Sequence, residues 1–168
     1  DTGDAESTII ELTQATDGTV TAATRFPDGW WLWLTGAKPC KVDYIVTAPR
    51  ACSLKVKGVS NRAFAEGFEG HFDFNSVSGD LVVRDLKGPL RFNSVSGNVT
   101  GSALTGDLEL EAVSGDVELT AVTLTAVRAK TVSGDLRLQT SILDGSYRFN
   151  TVSGNVTLTL PAASRFEA

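Results

Sequence analysis

The 168-residue chain has little of the material from which catalytic and metal sites are made: no methionine, one histidine and two cysteines. No Cys/His spacing typical of zinc is present. Neither a glycine-rich phosphate loop nor a Gly-x-Ser-x-Gly elbow occurs. His71 has no nucleophile motif beside it, and we interpret it as an ordinary strand residue. The sequence therefore predicts a protein that is not an enzyme and has no cofactor.

A net basic charge and long apolar runs are also missing. The net charge of -5 and the pI near 4.8 give no basic groove for nucleic acid. The longest apolar run, Trp30-Trp31-Leu32-Trp33-Leu34, is far shorter than the ~20 residues of a membrane-spanning helix. We expect no nucleic-acid partner and no membrane span in this fragment. Since the chain begins at Asp1 and not at methionine, we expect a piece of a longer protein.

A short phrase, Val-Ser-Gly-Asp or Val-Ser-Gly-Asn, recurs through the chain. It begins at Val77, Val95, Val113, Val132 and Val152, with a degenerate copy at Val59-Ser60-Asn61, so that successive valines are 18, 18, 18, 19 and 20 residues apart. A fixed period near 20 is typical of stacked repeats. Between the phrases apolar residues alternate, which predicts two short strands per repeat. The sequence therefore predicts an all-β parallel β-solenoid with about 18–20 residues per coil.

The alternation also predicts which side chains lie inside the solenoid. Leu81 and Val83 of one strand, and Leu90 and Phe92 of the next, are expected to face the core. We expect the valines of the phrase to lie in the same core. Parallel β connections are overwhelmingly right-handed, so right-handed coiling is the prediction.

The chain divides into three stretches. Residues 1–48 carry strand-like segments separated by turn signals, and we predict a β-rich N-terminal cap that belongs to the same domain. A cap is expected because a bare solenoid end would expose unpaired backbone groups. Residues 49–160 form the solenoid repeats, and residues 161–168 are the start of a following element or a tail.

Three tryptophans, Trp30, Trp31 and Trp33, are the candidate binding residues of the cap. Their strand is either buried between the cap and the solenoid, or it is an exposed aromatic platform for a sugar ring, a partner protein or the membrane interface. Cys40 and Cys52 could form a disulfide or remain free thiols, and both alternatives stay open.

One polar column occupies the residue after the phrase's glycine in successive repeats: Asp80, Asn98, Asp116, Asp135 and Asn155. Stacked oxygen ligands can bind calcium. Gly followed by Asp or Asn is also typical of a tight turn, because the Asx side chain bonds nearby backbone amides. The favoured interpretation is a structural turn column, with calcium as the alternative.

The recurring phrase, its alternating strands and the lead-in Ala48-Pro49-Arg50-Ala51 resemble a bacterial adhesin family of β-solenoid domains of unknown function. The resemblance covers residues 48–160 firmly and the first 47 residues loosely. It implies a domain of bacterial envelope or surface-associated proteins, sometimes linked to envelope-stress responses, with no catalytic residues to carry over. The first copy departs from the pattern, since Asn61-Arg62 replaces Gly-Asp.

Three functions follow as hypotheses. The first is a non-catalytic binding or adhesion module of an extracytoplasmic, surface or envelope-associated bacterial protein, with a protein or glycan as partner. The second is a structural or regulatory scaffold that self-associates through the solenoid ends or docks another domain. The third and least favoured is a polysaccharide-active enzyme, because such enzymes need acids and bases clustered on one exposed face, and the outward residues do not cluster in this way.

Overall fold

The structure is a computed structural model that describes residues 9–14, 19–25 and 44–161. Within these ranges every regular element is a β-strand. The chain contacts define two units, residues 1–47 and 48–168, and each is described by itself. In the described part of the chain, no helix has the length and apolar character needed to cross a membrane.

The first unit contains a hairpin. Strands β1 (Ile9–Gln14) and β2 (Val20–Arg25) pair antiparallel, with Ile9 opposite Arg25. The predicted strand with Trp30, Trp31 and Trp33 lies outside the described residues. A further strand is predicted over residues 42–46, and the part of it that the structure describes, residues 44–46, is not in a strand. The cap therefore stays a prediction.

The second unit is a parallel β-solenoid of about six turns, as the repeats predict. All its strand pairs are parallel. Its strands are β3 (Leu54–Ser60), β4 (Ala63–Glu66), β5 (Phe72–Ser78), β6 (Leu81–Lys87), β7 (Leu90–Ser96), β8 (Val99–Ser114), β9 (Val117–Ser133), β10 (Leu136–Ser153) and β11 (Val156–Thr159). The right-handed coiling stays a prediction.

Each coil contributes to two walls. The first wall consists of β4, β6, the N-terminal halves of β8, β9 and β10, and β11; the second consists of β3, β5, β7 and the C-terminal halves of β8, β9 and β10. Leu81 pairs with Val99 in the first wall, and Phe72 pairs with Leu90 in the second. Equivalent residues of successive repeats therefore lie side by side, ~4.8 Å apart.

A longer repeat is accommodated without breaking the walls. The register between β8 and β9 shifts after Gly106, which pairs with Leu124, so that Asp107 pairs with Ala126. The additional residue, Thr125, forms a β-bulge between the walls. A 19-residue coil therefore stacks on an 18-residue coil with the core positions still aligned.

The core is formed by the inward side chains of both walls, as predicted. Leu81 and Val83 of the first wall are fully buried, as are Phe74 and Phe92 of the second. Phe72 and Phe92 meet edge to face, with ring centroids 5.9 Å apart. Such contacts between rungs bury a face that no single coil could cover.

The valines of the repeated phrase are not in the core, and this prediction was wrong. In β5 the inward residues are Phe72, Phe74 and Ser76, so the next residue, Val77, points outward and is 50% exposed. The strand stays extended through the phrase instead of turning inward at its valine. The small Ser76 fills the inward position, where its hydroxyl donates a hydrogen bond to the carbonyl of Ser78.

The glycine of the repeated phrase is required because the backbones of adjacent rungs approach closely at the turn. Gly115 has a φ of 122°, which L side chains rarely adopt. A Cβ at this residue would lie 2.2 Å from the carbonyl oxygen of Gly97 on the neighbouring rung. Gly67 differs, because its φ is 76° and a Cβ there would meet no atom within 4 Å.

These two glycines give a matched test of the stacked turn. Gly115→Ala should lower the free energy of unfolding by ~3 kcal/mol or more, since it combines backbone strain with a clash, whereas Gly67→Ala should cost only about 1 to 2 kcal/mol from backbone strain. Urea unfolding followed by circular dichroism measures both. Equal losses would show that the turns are not packed backbone to backbone.

Candidate functional site

The second wall exposes a continuous apolar row. We call Val59, Val77, Val95, Val113, Val132 and Val152 the valine row. Their side chains are between 47% and 82% exposed, and the strand registers place them on six successive rungs. At the usual rung spacing the row is ~24 Å long. A surface of this regularity is a candidate binding site, because monomeric proteins rarely expose long contiguous apolar patches.

A polar row runs beside the valine row, two residues earlier on each strand. It consists of Lys57, Asn75, Asn93, Glu111, Lys130 and Asn150, and the two rows line one shallow groove. Neighbouring rungs bond to each other here: the Asn93 side-chain amide donates to the Asn75 Oδ1 at 2.9 Å, and the Lys130 Nζ lies 2.8 Å from Glu111. The hydrogen bond and charge of Lys130 hold the pKa of Glu111 below its usual value.

A third outward row borders the polar row on its other side: Lys55, Asp73, Arg91, Glu109, Arg128 and Arg148. Lys55 lies 2.7 Å from Asp73. Burial raises the pKa of Asp73, but the hydrogen bonds from Lys55 and Asn75 outweigh it and the net pKa is lowered. The Arg91 guanidinium bonds to Glu109, and this raises the pKa of Arg91. These pairs hold the outer side chains in register. We call the three rows together the valine face.

The polar column of the turns, which we call the Asx column, consists of Asp80, Asn98, Asp116, Asp135 and Asn155. Its side chains connect adjacent rungs by bonding to the backbone. The Asp116 N–H donates to the Asn98 Oδ1 at 3.0 Å, and the Asp135 N–H donates to the Asp116 Oδ1 at 2.9 Å. The same bond joins Asn98 to Asp80 and Asn155 to Asp135. Asp and Asn both supply the acceptor, which explains why either residue occurs in the column.

The described residues contain no group of three or more His, Cys, Asp or Glu side chains that could hold a metal ion. The side-chain oxygens of the Asx column accept hydrogen bonds from backbone amides of the next rung, and these bonds stabilise the stacked turns. Calcium binding at Asp80, Asn98, Asp116, Asp135 and Asn155 stays the less favoured alternative to the structural turn column.

Comparison with known families gives a match for this solenoid. Residues 54–168, more than half of the chain, match the family described as Toastrack DUF4097, a domain of unknown function. The chain belongs to the Toastrack family. No curated protein and no solved structure shows a significant match to it.

The remaining predicted residues of this Toastrack chain do not form a second site in the part that the structure describes. Trp30, Trp31, Trp33 and Cys40 lie outside the described residues. Cys52 is a half-buried free thiol. His71 is exposed on the solenoid, where its backbone N–H donates to the Ser53 hydroxyl at 3.3 Å.

The valine row is the feature of the Toastrack solenoid that sequence reasoning missed as a surface. The signal was present: strict alternation from Phe72 and Phe74 assigns Ser76 to the interior and Val77 to the exterior. Apolar character alone predicts a core position for Val77, whereas period-2 alternation continued to the end of the strand predicts an exposed one.

The Asx column predicts how the Toastrack solenoid responds to acid. The backbone N–H of Asn155, together with its side-chain amide, lowers the pKa of Asp135 below the usual value near 3.8. A lowered carboxyl pKa stabilises the fold above the unfolded pKa, and this contribution is lost as the pH falls through the folded pKa. Asp135→Asn keeps the acceptor and removes the titration, so the variant's melting temperature should fall less than the wild type's between about pH 5 and about pH 2.

The control is Glu118→Gln, which removes an exposed carboxylate of the first wall for which the structure shows no hydrogen bond. It should follow the wild-type acid profile. Thermal melts at half-unit pH steps provide the measurement, and identical slopes for Asp135→Asn and the wild type would contradict the role of this bond.

Proposed function

We propose that the domain is a non-catalytic binding module of a bacterial cell-surface or envelope protein, and that it binds a protein partner through the valine face. The observation that supports the proposal is the row of exposed valines on six successive rungs. Fully burying a valine side chain stabilises a complex by ~1.5 to 3 kcal/mol, so covering a half-exposed valine contributes roughly 1 kcal/mol before the entropic cost of association.

The chemistry of the face favours a protein over a glycan. The side chains that line the groove are aliphatic, amide, hydroxyl or charged, and no aromatic ring is among them. Sugar rings are commonly bound by stacking on aromatic side chains, whereas a row of methyl groups is matched by other aliphatic side chains. The aromatic platform at Trp30, Trp31 and Trp33 stays a separate prediction for a glycan, a protein or the membrane interface.

The surface location is part of the proposal. It rests on the resemblance carried by the Val-Ser-Gly phrase and the Ala48-Pro49-Arg50-Ala51 lead-in. On this hypothesis the domain is extracytoplasmic and its partner is a protein of the envelope. Fractionation of the source cells with an antibody against the domain tests the location, and a cytosolic pool alone would contradict it.

A scaffold that docks through the solenoid end is the second candidate, and the last rung favours it. Tyr147, Phe149 and Leu158 are only partly buried, although the equivalent Val127 and Ala129 on the preceding rung are 2% exposed. In residues 44–161, no strand pairs with the outer edge of β11 in the first wall or with that of the C-terminal half of β10 in the second. Further strands added at these two edges would complete the burial.

Site-specific photo-crosslinking tests the valine face directly. A benzophenone amino acid replaces Val95 or Val113 in the full-length protein, and matched chains carry it at Thr100, an exposed outward residue of the first wall. Irradiation of intact cells should give a discrete protein adduct from Val95 and Val113 and none from Thr100, because only the valine face lies against the partner.

The opposite pattern would contradict this function. Equal adducts from Thr100 and Val95 would show that contact is not specific to the valine face. Adducts that contain polysaccharide and no protein would favour the glycan alternative. Turnover of an acidic polysaccharide by the purified domain would revive the enzyme hypothesis.

A further inference from the structure

We infer that the valine face binds a second copy of this chain, with two solenoids packed face to face and their long axes antiparallel. The inference rests on the proposed function, since it uses the same face and names its partner. A surface that contacts every valine must repeat at the rung spacing of ~4.8 Å. A second copy has this spacing because its rungs are stacked in the same way. Two such valine rows can interdigitate as the side chains of packed β-sheets do.

The charges of the polar row fit the antiparallel arrangement. When the first rung of one copy faces the sixth of the other, Asn93 faces Glu111, Asn75 faces Lys130 and Lys57 faces Asn150. Each charged group then meets a side-chain amide. An amide can donate to a carboxylate or accept from an ammonium, so no charge is left opposite its own sign.

The polar row also disfavours the two antiparallel registers in which one copy is shifted by one rung. A slip of one rung in one direction places Lys57 opposite Lys130, and a slip in the other places Glu111 opposite the second copy's own Glu111. Like charges in contact penalise a wrong arrangement. The centred register is therefore preferred over both slipped registers by the polar row alone.

The third row mostly agrees with this register. Arg91 faces Glu109, and this contact occurs twice because the arrangement is two-fold symmetric. Arg128 faces Asp73, which is 8% exposed and already bonded to Lys55. The ends of the row bring Lys55 opposite Arg148, at the rim where solvent screens the repulsion.

The area of the face predicts a weak complex. Its three rows cover a strip of ~13 Å by ~24 Å, or roughly 300 Å² per copy in projection. A stable standard-sized interface buries about 800 Å² per partner. The association should therefore be reversible and concentration dependent, with a dissociation constant of about 10 to 1000 µM.

Sedimentation velocity on the full chain tests the association. The wild-type sedimentation coefficient should rise between about 5 and about 500 µM, across the expected dissociation constant. A variant with Val95→Lys and Val113→Lys should sediment as a monomer throughout, because two pairs of charged side chains would be buried against apolar rows. Thr100→Lys, the same change on the first wall, should behave as the wild type. A wild type that stays monomeric, or a double variant that associates as the wild type does, would overturn the inference.

Chemical crosslinking tests the arrangement. In chains with Cys40→Ser and Cys52→Ser, Val59→Cys and Val152→Cys place single thiols at the two exposed ends of the valine row. A bismaleimide that spans about 10 Å, the separation of packed sheets, should link the two variants when they are mixed and should link neither variant to itself. Crosslinking of Val59→Cys to itself would indicate parallel solenoids and overturn the antiparallel arrangement.

The two proposals fail differently. A photo-adduct from Val95 to another protein, with a monomeric wild type at every concentration, would overturn self-association and leave the proposed function standing. A photo-adduct from Val95 to residues 1–47 of the same chain would overturn both, because the face would then be covered within the monomer.

Discussion

In-register parallel pairing between coils is the interaction on which the rest of the structure depends. Leu81, Val99 and Val117 lie side by side because each coil repeats the backbone path of the preceding coil. A single coil could not bury its inward side chains, so the backbone bonds between rungs and the apolar core form together. The glycine of each turn permits this approach, since a Cβ at Gly115 would collide with the rung beside it.

The same register turns each position of the repeat into a row on the surface. A valine in every phrase becomes an apolar row of ~24 Å, and one Asp or Asn per turn becomes a column of side-chain bonds to backbone amides. Charges in the polar row lie on adjacent rungs, where Lys130 pairs with Glu111. A repeated surface of this kind favours a partner that repeats at the same spacing, which connects the fold to the proposed self-association.

Sequence reasoning predicted the architecture because its signals were both local and repeated. The steps between phrases located the turns, and alternation identified Leu81, Val83, Leu90 and Phe92 as core residues. The valine row was misplaced since apolar character was weighted above strand alternation. The hydrogen bonds that backbone amides donate to the Asx column join residues 18 to 20 positions apart in the sequence. They therefore depend on the stacking of rungs and not on the local sequence.

The sequence by itself determined the period, the strands and most of the core, because these properties follow from the order of apolar, polar and glycine residues within one repeat. Only the tertiary structure decided how far each valine of the row is exposed, from 47% at Val113 to 82% at Val152. It also decided that Glu111 forms an ion pair with Lys130 of the next rung, at 2.8 Å. Exposure and charge pairing depend on the neighbouring coils, and the neighbours are defined only when the chain is stacked.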